Sequence, residues 1–280
     1  MLTWVDGHPQ DAVPVADRGL QYGDGLFETV LIDGGHALAW DLHLARLRRG
    51  CRALRLPEPP IAALEADRDG LRARGPARAV LKIILTAGGA GRGYARPQPH
   101  TWRRILSLAP ASEWPLAEYR DGIRVRWCRQ LWFPDPALAG IKHLNRLTQV
   151  LARAEWDDPQ IAEGLLRDAD GSVIGGTMSN LFVVRDGALL TPGLGHCGVA
   201  GTMRARVMAA AAAQGLPVRE TALSVMDCLQ ADELFVCNAV RGIRPIRQLG
   251  ARSFAAGPVT RALQREIGPP WPAPGHGAGW

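Results

Sequence analysis

The sequence predicts an α+β fold with two domains, and three observations support it. Predicted strands and helices follow one another without the regular strand–helix–strand order of a parallel sheet, and tight turns such as Asp186-Gly187 join neighbouring strands into hairpins. A chain of 280 residues is long enough for about two domains. A segment with two prolines, residues 110–121, lies between the predicted domains, which cover residues 1–109 and 122–268.

The strands and helices are predicted from the spacing of apolar residues. In the first domain this spacing predicts a strand near the N-terminus, strands at 26–32, 79–85 and 103–109, and helices over 41–54 and 60–74. In the second domain it predicts helices that include Leu144–Leu151, 202–214 and 258–267, and strands at 123–132, 162–167, 173–175, 180–185, 188–191, 218–221 and 233–238. Residues 269–280 are rich in proline and glycine, and we expect them to be disordered.

The composition excludes several classes of protein. Apolar residues make up 47% and charged residues 21%, as in ordinary soluble domains, and no run reaches the roughly 18 apolar residues of a membrane span. The N-terminus lacks the basic and apolar regions of a secretory signal. The five cysteines are scattered without the spacing of a zinc site, which is typical of a reducing compartment. We therefore expect a cytoplasmic protein with no membrane contact and no metal site.

The net charge of +6 is compatible with two kinds of partner. A nucleic acid would be attracted by it, but the arginines are spread along the chain and form no basic block. An anionic small molecule fits the same excess of positive charge. We expect a small-molecule substrate and no nucleic acid.

Only two of the 33 basic residues are lysines, Lys82 and Lys142. A lysine that persists in such a sequence is a candidate for chemistry, because its amine can lose a proton and act as a nucleophile, whereas arginine stays charged. Chance survival of both lysines is the alternative. Lys82 lies in the middle of a strand among apolar residues, which favours a structural ion pair. Lys142 follows Gly140 at the predicted start of a helix, whose positive end would lower the pKa of the amine.

Two glycine-rich loops are candidate binding sites. Gly88–Tyr94 lacks the glycine spacing of a dinucleotide or P-loop fingerprint, so it is either a turn between strands or a substrate-facing loop in which Arg92 binds a carboxylate. Gly198–Arg204 enters a predicted helix, where backbone N–H groups can bind an anion. His43 and Arg46 lie one turn apart on a predicted helix and share a face.

Seven short motifs can be distinguished along the chain. They are DRGLQYGDGLFET at 17–29, HLARL at 43–47, GRGY at 91–94, KHLNR at 142–146, SNLF at 179–182, GVAGTMR at 198–204 and QADE at 230–233. In content and order these motifs resemble the fold-type IV pyridoxal-phosphate enzymes. That family includes branched-chain and D-amino-acid aminotransferases and 4-amino-4-deoxychorismate lyase.

The lyase branch of this family is the best match, on GRGY, on AGIKHLNRL around Lys142 and on CNAV at Cys237–Val240. The resemblance implies a small α/β N-terminal domain, a larger β-barrel-like C-terminal domain with helices, a homodimer, and pyridoxal 5'-phosphate as cofactor. The implied reaction removes pyruvate from 4-amino-4-deoxychorismate and gives 4-aminobenzoate, a step towards folate. An aminotransferase that acts on D- or branched-chain amino acids is the alternative within the family.

The resemblance also implies a role for individual residues. Lys142 would bind the cofactor covalently and then act as acid and base, with Thr29 as a second catalytic residue. The remaining cofactor-binding residues would be Arg46, Thr202, Met203, Asn238, Ala239 and Gly175. The substrate-binding residues would be Thr29, Arg92 and Tyr94.

Gly175 departs from the family pattern. At this position the family has a glutamate that pairs with the pyridine nitrogen of the cofactor, and no acid stands nearby in the sequence. Without a carboxylate the ring is a weaker electron sink, which would harm an aminotransferase more than an elimination with an aromatic product. The substitution therefore favours the lyase. It also leaves open a third possibility, a cofactor-binding module with little catalysis.

Overall fold

The computed structural model describes residues 1–89 and 93–268, which form two compact units. Among the described residues, the first unit contains Met1–Ser112 and Ile141–Arg146, and the second contains Glu113–Gly140 and residues 147–268. The predicted tail at 269–280 and Arg92 lie outside the described residues.

The first unit is built on a six-stranded antiparallel sheet with the strand order β2-β1-β6-β5-β3-β4. The helix α2 packs so closely on this sheet that a Cβ on Gly50 would come 2.7 Å from Leu26. The elements of this unit are β1 (Leu2–Val5), β2 (His8–Pro9), α1 (Arg18–Tyr22), β3 (Gly25–Asp33), β4 (His36–Ala37), α2 (Trp40–Ala53), α3 (Ile61–Arg72), β5 (Ala79–Thr86) and β6 (Arg103–Pro110).

Residues 141–146 return to the first unit because they bond to the start of β3. The Phe27 N–H donates to the Lys142 carbonyl (2.9 Å), and the Leu144 N–H donates to the Gly25 carbonyl (3.0 Å). The sequence prediction placed Lys142 in the domain at 122–268. These bonds join residues more than 100 positions apart, and no local pattern in the sequence indicates them.

The second unit is built on a nine-stranded mixed sheet. The strand order is β12-β11-β10-β13-β14-β7-β8-β9, and β15 pairs with β14. Its elements are α4 (Leu116–Arg120), β7 (Ile123–Leu131), α5 (Leu147–Arg153), β8 (Ile161–Arg167), β9 (Val173–Gly176), β10 (Asn180–Arg185), β11 (Ala188–Pro192), α6 (Thr202–Ala213), β12 (Val218–Thr221), α7 (Val225–Leu229), β13 (Glu233–Asn238), β14 (Gly242–Leu249), β15 (Arg252–Ser253) and α8 (Pro258–Ile267).

This sheet curls until its two ends meet, as the predicted β-barrel-like domain requires. The Val173 N–H, in β9 at one end of the order, donates to the carbonyl of Leu223, just after β12 at the other end (2.7 Å). Alternate side chains of β10 point to opposite faces of the sheet. Leu181 belongs to a core cluster enclosed by the sheet, whereas Phe182 belongs to one shared with α6 and α8. The predicted α+β fold with a barrel-like second domain is confirmed.

The sequence prediction gives no strand for β14 (Gly242–Leu249) and no helix for α1 (Arg18–Tyr22), and two predicted elements differ in the structure. The segment predicted as a link at 110–121 contains a short helix, α4. The helix predicted to include Leu144 begins only at Leu147, and its side chains Leu147, Val150 and Leu151 are exposed by 69%, 59% and 50%. In the described part of the chain, no helix has the length and hydropathy needed to span a membrane.

Candidate active site

The predicted catalytic lysine lies over one face of β3. Side chains alternate along a strand, so Phe27 and Thr29 share a half-exposed face. Glu28, between them, is buried on the opposite face against α2. The Nζ atom of Lys142 lies 4.1 Å from the centre of the Phe27 ring. Thr29 pairs directly with Lys82 of β5, which places Lys82 on the same face, with Nζ 6.0 Å from the Phe27 ring.

The pKa of Lys142 is lowered to about 7. Burial is the main cause, the positive charge of Arg46 adds to it, and the negative charge of Glu28 acts in the opposite direction. The predicted cause, a helix end, is wrong, because α5 begins only at Leu147. An amine with this pKa is largely unprotonated just above neutral pH, which suits both a nucleophile and a general base.

Glu28 forms a buried ion pair with Arg46 beneath this face. Its carboxylate accepts hydrogen bonds from Arg46 Nε (2.8 Å) and lies 2.6 Å from His43 Nδ1. Burial alone would raise the pKa of Glu28, but the charge and hydrogen bonds of Arg46, with the contact to His43, outweigh it and lower the pKa to about 2. Lys142, Arg46 and Thr29 thus all lie in the first unit, on or beside β3.

In the second unit, the helix α6 starts at a loop whose N-cap residue provides no side-chain hydrogen bond to the helix. α6 begins at Thr202, and Gly201 at its N-cap has no side chain to cap it. A Cβ on Gly201 would clash with Asn180 Oδ1, and Asn180 Nδ2 donates to the Val199 carbonyl (2.8 Å). The positive end of a twelve-residue helix, whose N-cap residue has no side chain, suits an anion such as a phosphate. Thr202 and Met203 are both buried there.

Asn238 lies beside this loop at the end of β13, where Asn180 pairs with the preceding residue, Cys237. Its Oδ1 accepts hydrogen bonds from the backbone N–H groups of Val240 (3.0 Å) and Arg241 (2.7 Å). The side-chain oxygen of Asn238 therefore shapes its own turn, which contains the half-buried Ala239.

Gly175 is buried in β9 with a backbone conformation that favours glycine. Its φ is +154°, and a Cβ there would lie 3.0 Å from the Ser179 carbonyl oxygen. A buried carboxylate, Glu163 of β8, approaches the next residue, since a Cβ on Gly176 would lie 2.8 Å from its Oε2. Glu163 binds the turn after β9, where it accepts from the Thr177 N–H (3.0 Å) and from the Ser179 hydroxyl (2.7 Å).

The remaining predicted substrate residues lie on the loop after β5. Arg92 is outside the described residues. Tyr94 is 86% exposed, and its ring meets the Tyr22 ring edge-on with centroids 5.5 Å apart. Among residues 1–89 and 93–268, no group of three or more histidine, cysteine or acidic side chains could hold a metal ion.

Sequence reasoning missed Glu28 and Glu163, although one of them left a signal. Glu28 occupies a position of β3 whose alternation places it on the buried face, and a buried acid requires a partner. The i, i+3 pair His43 and Arg46 on the next helix supplies that partner. Glu163 has no such signal, because its partners lie across a hairpin in residues that are themselves polar.

Comparisons with known proteins agree on one family for most of the chain. The sequence model of the family "Amino-transferase class IV" matches residues 25–249. An aminodeoxychorismate lyase of Vibrio harveyi is 34% identical over 95% of this chain and 99% of its own length. The crystal structure of 4-amino-4-deoxychorismate lyase from Pseudomonas aeruginosa is 44% identical, with a TM-score of 0.91 over 95% of this chain and 98% of that chain. A branched-chain amino acid aminotransferase of Escherichia coli is 26% identical, with a TM-score of 0.83 over 94% of this chain and 92% of that chain.

Proposed function

We propose that this chain, which belongs to the class IV amino-transferase family, is a pyridoxal-phosphate-dependent lyase that converts 4-amino-4-deoxychorismate into 4-aminobenzoate and pyruvate. The identity to two aminodeoxychorismate lyases, 34% and 44%, exceeds the 26% to the aminotransferase and supports the choice of reaction. The observation that carries the chemistry is the lowered pKa of Lys142, at about 7.

The residues present fit the cofactor. An aldehyde group needs an unprotonated amine, which Lys142 provides near neutral pH. A phosphate group needs hydrogen-bond donors, and the chain offers the buried guanidinium of Arg46 and the uncapped start of α6. Lys142 would therefore hold the cofactor through Nζ, and Arg46 with the N–H groups of Thr202 and Met203 would bind its phosphate. Asn238, Ala239 and Gly175 complete the proposed cofactor-binding set.

The cofactor's contribution, when bound, is a conjugated ring that takes up the electron pair of the C–H bond beside the substrate's amino nitrogen. Lys142 Nζ takes the proton from that carbon as general base, for which a pKa near 7 is well matched at neutral pH. The C–O bond on the neighbouring ring carbon would then break, the protonated Lys142 would give its proton to the departing oxygen so that pyruvate leaves as its enol, and the ring would become aromatic. Thr29 and Tyr94, with Arg92, are proposed to bind the substrate, whose two carboxylates suit an arginine.

The deciding experiment has two steps. The purified protein is reduced with borohydride, and the modified peptide is identified by mass spectrometry. We expect the adduct on Lys142, and an adduct on Lys82 would overturn the assignment. The protein is then assayed for 4-aminobenzoate, with Lys142→Ala as the inactive comparison.

The same preparation separates the lyase from an aminotransferase. Incubation with 2-oxoglutarate and amino donors would give sustained amino-group transfer if the chain were a transaminase. We expect at most a trace, because the glutamate typical of the family is replaced by Gly175. A bound cofactor with neither activity would instead indicate a binding module.

We also propose that the protein is a cytoplasmic homodimer. All five cysteines are buried and unpaired, as expected in a reducing compartment. The exposed leucine and valine side chains of α5 support an assembly, because an apolar helix face in water favours contact with a partner.

A further inference from the structure

Asp24, between α1 and β3, binds two arginines at once. Its Oδ2 accepts from Arg18 Nε (2.9 Å) and Arg96 Nε (2.9 Å), and its Oδ1 accepts from Arg96 Nη2 (2.6 Å). Burial alone would raise the pKa of Asp24, but the hydrogen bonds and charges of Arg96 and Arg18 outweigh burial and lower it. The carboxylate therefore stays charged and holds both guanidinium groups in place.

The rest of the Arg18 side chain binds the backbone of residues 93–95. Nη1 donates to the carbonyls of Gly93 (3.3 Å) and Ala95 (3.2 Å), and Nη2 donates to the carbonyl of Tyr94 (2.9 Å). Arg18 is only 4% exposed, so it contributes buried donors to three successive carbonyls. The planar fork of an arginine makes this possible, whereas a lysine offers a single charged point.

The held segment exposes one large side chain, Tyr94. The Tyr22 ring supports it edge-on, and the guanidinium of Arg18 lies 5.0 Å from the centre of the Tyr22 ring. Tyr94 and Tyr22 line a cavity of about 570 Å³ together with Arg18, Arg55 and Asn145. The arginines give this cavity an excess of positive charge, which suits a ligand with carboxylates.

We propose that Arg18 and Asp24 are positioning residues that fix Tyr94 for recognition of the carboxylate-bearing substrate. Exposed aromatic rings are mobile unless their backbone is anchored, and here each carbonyl from Gly93 to Ala95 is anchored to one buried side chain. Tyr94 is thus ordered in the folded protein before the substrate binds, so that binding loses less conformational entropy. This proposal rests on the proposed lyase function.

The test is a set of steady-state measurements on the holoenzyme with 4-amino-4-deoxychorismate. Arg18→Lys keeps the positive charge beside Asp24 but removes the fork. We expect it to raise KM by about tenfold, since two or three hydrogen bonds from a charged group are lost, and to change kcat by less than about twofold. Arg96→Gln, at a more exposed side chain, removes the second anchor and gives the same pattern should Arg18→Lys fold poorly.

The matched control is Asp67→Asn. Asp67 forms an ion pair with Arg104 (2.8 Å) in the same unit, with side-chain exposure of 7% against 10% for Asp24. This control loses a comparable buried ion pair but touches no residue of the 93–96 segment. We expect its KM to stay at the value of the unchanged protein, even if its stability falls.

A double-mutant cycle tests whether Arg18 acts through Tyr94. In a Tyr94→Ala background, Arg18→Lys should raise KM much less than it does alone, because the side chain that it positions is already absent. Independent effects of the two substitutions would overturn the proposal, as would a change in kcat without a change in KM.

A second measurement distinguishes failure of this proposal from failure of the proposed lyase function. Chymotrypsin cleavage after Tyr94, mapped by mass spectrometry, should be faster in Arg18→Lys than in Asp67→Asn, whether or not the protein has lyase activity. Faster cleavage with an unchanged KM would overturn the role in substrate recognition, and unchanged cleavage would overturn the anchoring. Absence of 4-aminobenzoate formation by the unchanged protein would overturn the lyase function itself.

Discussion

Two buried charges act on Lys142 in opposite directions. Arg46 lowers the pKa of the amine and Glu28 raises it, and burial lowers it further, to about 7. The ion pair with Glu28 holds the buried guanidinium of Arg46 in place, where it acts on Lys142 and is also the proposed phosphate ligand. Glu28 thereby opposes the lowering of the Lys142 pKa through its own charge, and it also holds the arginine proposed for the anion site.

The lowered pKa predicts how Lys142 reacts with pH. In cofactor-free protein, the rate of acylation of Lys142 by a neutral reagent such as acetic anhydride should rise up to a pH of about 7 and then level off. The cause is that only the unprotonated amine reacts, and Lys142 is mostly unprotonated above that pH. Free Nα-acetyl-lysine serves as the comparison, with a rate that continues to rise towards pH 10. The same late rise at Lys142 would contradict the prediction.

Glu28→Gln should destabilise the protein by about 3 kcal/mol, because it leaves the guanidinium of Arg46 buried without its charged partner. The measurement is urea unfolding, with Asp69→Asn as control, since Asp69 pairs with Arg68 near the surface and should contribute less than about 1 kcal/mol. The folded pKa of Glu28 is lowered, so its contribution is present above pH 4.5 and is lost as the pH falls towards about 2. Equal losses of unfolding free energy in the two variants would show that the buried Glu28–Arg46 pair contributes no more than the surface pair.

At the scale of elements, the sequence predicts what is local and misses what is not. The strand at 79–85 and the helix at 258–267 are predicted within one residue, because apolar spacing and the proline at the helix start are local signals. The return of residues 141–146 to β3 is not predictable in this way, since backbone hydrogen bonds join them to Gly25 and Phe27. The same is true of Asp24, whose partner Arg96 is 72 residues away.

The residues of the candidate site also fall into those that the sequence indicates and those that only the structure indicates. The scarcity of lysine and the motif around it predict Lys142, and the family resemblance predicts Arg46. Glu28 and Arg18 lie inside the motif at 17–29, but the sequence does not show what they bind, because their partners are distant along the chain. Their roles follow only from contacts such as the three carbonyls bound by Arg18.

The backbone conformation of β9 at Gly175 predicts that a side chain there lowers the stability of the protein. Gly175→Ala should destabilise the protein by about 1–3 kcal/mol, because φ is +154° and the new Cβ would press on the Ser179 carbonyl. Gly193→Ala is the control, since a Cβ at Gly193 would meet nothing within 4 Å. Thermal unfolding of the two variants measures the difference, and equal melting temperatures would contradict it.

Gly175→Glu carries the same strain and adds the carboxylate typical of the family. We expect it to raise any transaminase activity proportionally more than lyase activity, because a stronger electron sink helps the reaction that stores charge in the ring more than the one that discharges it into a leaving group. Both activities are measured on the same preparation, with Gly175→Ala to correct for strain. Equal changes in both would mean that the substitution at 175 does not select the reaction.

At the scale of the whole molecule, α5 exposes the apolar face that its spacing predicts to be buried. The apolar spacing that predicts a helix here normally marks a face that packs on a core, yet Leu147, Val150 and Leu151 lie on one face and are each at least half exposed. A helix in a folded protein that shows its apolar face to water favours contact with a second surface, and a second copy of the chain is the partner that the proposed homodimer supplies.

The homodimer predicts a mass in light scattering of twice the 30.2 kDa of one chain. Val150→Asp places a charge on the exposed face of α5, so a stable interface there would have to bury an unpaired carboxylate, and we expect the mass to fall to that of one chain. The fold should persist, because Val150 is 59% exposed and removes little from the core. Met226→Asp, at an exposed methionine of α7, is the control and should leave the mass unchanged. A Val150→Asp protein that keeps the doubled mass would show that α5 is not the interface, and an unchanged protein with the mass of one chain and full activity would show that the enzyme needs no partner copy.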